Sequence, residues 1–127
     1  METIQEIEML EKLIGQLKGL HTEIGALAKK SPNDAVNSFK LKLVNKILEM
    51  GSTVLGEKYK PFEGFDNFEE DDAPSTSDVT MVVAQFIEEA ERYRSDNVKW
   101  HGGRWRYILN GQPSEVESGP PTKIGRK

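Results

Sequence analysis

The chain has 127 residues, a formal net charge of −4, 36% hydrophobic and 30% charged residues, enough for one domain that buries a core of its own. It contains no cysteine, which excludes disulfides, thiolate chemistry and cysteine-bound zinc. No apolar run approaches the roughly 20 residues of a membrane helix, and METIQEIEML carries no basic residue of a secretion signal, so a cytoplasmic protein is expected.

The first predicted element is a long helix over about residues 3–29. Ile7, Leu10, Ile14, Leu17, Ile24 and Ala28 recur three and four apart, and Leu13, Leu20 and Leu27 broaden the stripe. His21 falls in the heptad slot between Leu17 and Ile24, which reads as a core or boundary histidine rather than a metal ligand. SPND at 31–34 then reads as a cap, with Ser31 preceding a proline suited to the first turn. A second helix is therefore expected over about 32–55, burying Val36, Phe39, Leu43, Ile47, Val54 and Leu55. Gly51 is a candidate break and Gly56 a candidate stop.

Residues 56–76 lack a sustained period and predict a long loop, pinned by Tyr59, Phe62, Phe65 and Phe68. Ser75 or Ser77 caps a third helix over about 78–95, whose inward side is Val79, Val82, Val83, Phe86, Ile87, Ala90 and Tyr93. From residue 98 the period changes from 3.6 to 2. Gly102-Gly103 and Asn110-Gly111 are both two-residue turn signals, so a β-hairpin follows, with a candidate third strand near 114–117. The expected fold is thus mainly α: a three-helix bundle of long antiparallel helices with a small C-terminal β-hairpin (98–117) packed on it. This gives a single domain over 1–117 and a basic, flexible tail over 118–127.

Charge is segregated along the chain: residues 1–62 sum to +1, residues 63–91 to −10 and residues 92–127 to +5. Two candidate surfaces follow. One is the hairpin and tail, where His101, Arg104, Arg106, Lys123, Arg126 and Lys127 are candidate binding residues for protein or nucleic acid. Trp100, Trp105 and Tyr107 would face the other way, into the core. The second is a docking loop, with Phe62, Phe65 and Phe68 as anchors and Glu69, Glu70, Asp71 and Asp72 steering a basic partner. DNFEEDD lacks the spacing and turn glycine of a calcium loop. No catalytic constellation, metal site or cofactor motif is found. The expectation is a non-enzymatic protein–protein interaction or adaptor module, with self-association through the first helix as one form of it; a nucleic-acid-binding module using the hairpin and tail is the alternative.

Overall fold

The computed structural model describes residues 1–123. Three helices come first: α1 (Ile4–Lys30), α2 (Ser38–Tyr59) and α3 (Thr76–Asp96). They are followed by a three-stranded antiparallel sheet in the order β1 (Val98–His101), β2 (Arg104–Leu109), β3 (Gln112–Glu117). Mainly α with a C-terminal sheet is therefore the architecture. Each helix starts on a side-chain cap: Thr3 Oγ1 accepts from the Glu6 amide, Asn37 Oδ1 from Lys40 (2.9 Å) and Ser75 Oγ from Asp78.

The boundary between the first two helices differs from the expectation. Ser31 closes α1, donating its N–H to Leu27 O at 2.8 Å, while its carbonyl accepts from the Thr76 hydroxyl at 2.7 Å. Residues 32–37 are not helical, and Ala35 instead bridges Ser75. Asn37, not Ser31, supplies the cap of α2, so Asn37→Ala is expected to lower stability by about 1 kcal/mol in urea unfolding.

Starting α2 at Ser38 changes which residues are buried. Leu41, Val44, Leu48, Gly51 and Leu55 form the inward stripe, while Phe39 is 71% and Leu43 44% exposed. Gly56 takes φ +65 and breaks the regular helix near its end, as its glycine predicts. On α1 the stripe runs from Leu17 through half-buried Leu20 to Ile24, leaving His21 in solvent. This corrects the heptad placement: a straight helix turns at 3.6 residues, and the buried line drifts off a strict seven-residue register.

Helix direction explains the long segment between α2 and α3. Gly25 lies against Thr80, and Thr76 bonds Ser31, so α1 and α3 are antiparallel. By contrast Gly51 faces Phe86 and Tyr59 stacks on Tyr93 (4.7 Å between centroids), so α2 and α3 advance in the same direction. The expectation of antiparallel neighbours throughout is corrected here. Residues 60–75 must carry the chain back along α2, and they do so as a bonded strap. Asn67 pairs with Glu49 (2.6 Å), Phe68 with Asn45 (2.8 and 2.9 Å) and Pro74 with Val36 (3.0 Å). A single 3₁₀ turn over Glu70–Asp72 interrupts the strap.

One apolar cluster joins all parts. Leu10, Leu13 and Leu17 of α1, Val44 and Leu48 of α2, and Val79, Val83 and Phe86 of α3 are essentially inaccessible, and Tyr107 of β2 is buried with them. Val98, Leu109 and Val116 pack on its edge, which is how the sheet gains the covered area that three short strands need. Among the described residues no helix is long and apolar enough to cross a membrane.

Candidate functional site

The strands place the aromatic and basic residues of 98–107 on opposite sides. Antiparallel register sets Val98 against Tyr107, Lys99 against Arg106, Trp100 against Trp105 and His101 against Arg104. With a side-chain period of two, Val98, Trp100, Trp105 and Tyr107 share one face, and Lys99, His101, Arg104 and Arg106 share the other. Gly102 (φ +61) and Gly103 (φ +81) make the turn that only residues tolerant of positive φ can form.

The tryptophans do not seal the core. Tyr107 is fully buried, Trp105 is half-buried and Trp100 is 57% exposed, so cover decreases along this face toward the turn. The two indoles pack edge to face at 5.7 Å and 71°, a geometry favoured by their ring quadrupoles. The tip of the hairpin is therefore a rigid aromatic pair with solvent on one side.

The basic face is partly neutralised by β3. Arg104 pairs with Glu117. Arg106 donates to the His101 carbonyl (3.0 Å) and the Ser114 carbonyl (3.2 Å), and reaches Glu115 at 3.4 Å. The hairpin thus brings His101, Arg104 and Arg106 together. Lys123 is not with them: its Nζ binds Glu88 of α3 at 2.8 Å. Arg126 and Lys127 lie outside the described residues.

In the strap, Phe65 and Phe68 pack against the core and meet edge to face at 5.1 Å, and Phe62, 36% exposed, meets Phe65 at 6.1 Å. Glu69, Glu70, Asp71 and Asp72 are all exposed. The phenylalanines therefore serve mainly as anchors of the strap itself, with carboxylates displayed beyond them. Asp66 at the start of this segment is held below the usual aspartate range chiefly by its ion pair with Lys60 at 2.7 Å.

Sequence reasoning missed the most heavily bonded polar cluster. Arg94, 7% exposed, donates to Glu91 through Nε (3.2 Å) and Nη2 (2.9 Å), and also to Ser118 Oγ (2.8 Å), Gly119 O (3.0 Å) and Pro120 O (3.0 Å). Ser95 Oγ accepts from the Thr122 and Lys123 amides, and Glu91 accepts from the Thr122 hydroxyl at 3.0 Å. Where the sequence suggests a flexible tail, residues 118–123 are laid over α3 by these bonds. They border a cleft of about 390 Å³ between α1 and α3 that Lys18, Glu91 and Lys123 also line. A signal was present: Glu91 and Arg94, three apart, continue the inward side of α3 beyond Ile87, where a charge needs a partner.

Two acid–base groups in this region are shifted. Burial alone would raise the Glu91 pKa, but Arg94, the Thr122 hydroxyl and Lys18 outweigh it and hold the carboxyl below its ordinary 4.5. Burial and the nearby Glu11 carboxylate push the Tyr107 phenol well up; its hydroxyl faces Glu11 and Ser118 without a well-aligned hydrogen bond to either. For a carboxylate with a depressed folded-state pKa, the stabilisation is complete above the unfolded value and is lost as pH falls through the folded one. Hydrogen-exchange protection of the Thr122 and Lys123 amides should therefore be flat above pH 4.5 and fall on further acidification, as Glu91 takes a proton.

Among the described residues no group of three or more histidine or carboxylate side chains converges as metal ligands. No family model, no curated protein and no solved structure matches this chain.

Proposed function

We propose that the protein is an interaction module of the adaptor type whose primary contact is the hairpin tip: Trp100 and Trp105 form the apolar centre of one face, with His101 and Arg104 displayed on the opposite one. The observation that carries this reading is Trp100, 57% exposed and braced by Trp105 next to a two-glycine turn. A large rigid indole contributes much buried area on binding and loses little conformational entropy, which is why tryptophan dominates interface hot spots. The acidic strap, with Phe62 and Glu69–Asp72, is a second surface suited to a basic partner. In this reading the three helices act as a bundle-like scaffold and carry no chemistry.

The nucleic-acid reading has weaker support. Stacking on Trp100 and phosphate contact from Arg104 or Arg106 would have to come from opposite faces of one sheet, and both guanidinium groups already meet carboxylates. The test uses the full chain as bait in native extract, beside Trp100→Ala. The expected result is one defined protein partner retained by the wild type and lost with the variant. No partner, or a partner held equally by Trp100→Ala, overturns the proposal. Salt-sensitive binding of single-stranded nucleic acid in an anisotropy titration would favour the second reading instead.

A further inference from the structure

The sheet has two edges, and the fold blunts one of them. On β3, Pro113 has no N–H to offer and a register shift interrupts the ladder. The Ser114 carbonyl accepts from Arg106 (3.2 Å), and the Val116 amide donates to Ser114 Oγ (3.1 Å). Proline and local irregularity are common means by which a sheet keeps another strand off its edge.

The β1 edge has neither proline nor register shift. The two-residue turn makes His101 and Arg104 a hydrogen-bonded pair, and the Ile108 amide donates to Asn97 O at 2.7 Å. Asn97, Lys99 and His101 therefore turn their backbone groups toward β2. By alternation the N–H and C=O of Val98 and Trp100 point outward, and among the described residues no hydrogen bond outside the sheet ladder engages them.

The two faces at this edge bear on what fits beside it. On one, the exposed Trp100 stands outermost, braced by Trp105. On the other, Arg106 and Arg104 of β2 meet Glu115 and Glu117 of β3, so the carboxylates stand on the β3 side of the arginines. Lys99 and His101 are exposed, and among the described residues no ion pair within 4.0 Å engages Lys99.

We infer that the β1 edge accepts an extended segment of a protein partner as a fourth strand, one that alternates apolar residues with glutamate or aspartate. Its backbone pairs with Val98 and Trp100, as in β-strand addition. Its apolar residues lie beside Trp100 and its carboxylates beside Lys99 and His101, as Glu115 and Glu117 lie beside the arginines. A strand at this edge meets both faces of the hairpin at once. A second copy of the chain fits poorly. In the antiparallel register that pairs Val98 and Trp100 of both copies, the two Lys99 side chains stand directly opposed. The inference rests on the adaptor reading of the hairpin tip and adds the mode of contact and the partner's sequence character.

The test titrates the isotope-labelled full chain with a capped hexapeptide of alternating valine and glutamate, reading amide shifts and hydrogen exchange. In the free protein the Val98 and Trp100 amides should exchange faster than those of Lys99 and His101. Millimolar peptide should shift both and protect them. Lys99→Glu should weaken binding about fivefold and Trp100→Ala about tenfold, and a valine–lysine hexapeptide should not bind. No binding, binding that leaves both amides unprotected, or equal binding of the valine–lysine peptide would each overturn the inference. Protection of these amides that grows with protein concentration alone, the mark of a second copy, would do the same. A partner captured through Trp100 that leaves the Val98 and Trp100 amides unprotected in the complex overturns this inference and leaves the adaptor reading intact.

Discussion

Arg94→Ala is expected to lower stability by about 3 kcal/mol or more in urea unfolding and to release residues 118–123 from α3. The guanidinium is 7% exposed and occupies its donors with Glu91, Ser118, Gly119 and Pro120. Its removal leaves two peptide carbonyls without their donor and Glu91 without its nearest cation. Lys18, 3.3 Å from Glu91 but with a largely exposed side chain, is a weak substitute. Replacing both members of the pair, Arg94→Met with Glu91→Met, should recover part of the loss, because no uncompensated charge is then buried. Exchange of the Thr122 and Lys123 amides reads the tail directly. A loss under about 1 kcal/mol with unchanged exchange would contradict this account.

Gly51→Val should cost about 2 kcal/mol or more through overpacking. A Cβ at Gly51 would sit 3.0 and 3.2 Å from two ring carbons of Phe86 and 3.5 Å from Leu13. Phe86 is fully buried, so its ring has little room to retreat. The contrast is with α1, where a Cβ at Gly15 or Gly19 meets nothing within 4 Å. There, Gly→Ala should add about 1 kcal/mol of helix propensity. Thermal or urea unfolding of Gly51→Val and Gly15→Ala should therefore move in opposite directions.

These glycines also show what a sequence can and cannot reveal. Gly51 reads as a candidate helix break, but α2 passes through it without interruption, and its lack of a side chain serves the crossing with α3. Gly56 and the two turn pairs, where positive φ is the requirement, are legible as such. Periodicity located all three helices and the change to strand at residue 98. It could not choose between the Phe39–Leu43 and Leu41–Val44 stripes of α2, since both satisfy helical spacing and only the position of α1 and α3 decides. The alternation of Trp100, Trp105 and Tyr107 set their common face but not how deeply each ring is covered. Arg94 was hidden for a related reason. At a helix C-terminus an arginine is already favoured by the macrodipole, and all its partners except Glu91 lie more than twenty residues downstream.

The strap between α2 and α3 has more length than its journey needs. A 22-residue helix such as α2 is about 33 Å long, whereas residues 60–75 at full extension reach about 50 Å. Roughly five residues of slack result, and some of it is wound into the Glu70–Asp72 turn. Small deletions near the exposed Gly64 should thus be absorbed, but a larger one must unravel the end of a helix. Lengthening meets no such limit, because loop-closure entropy grows only slowly with chain length; a reporter peptide spliced in at Gly64 would leave both helices in register.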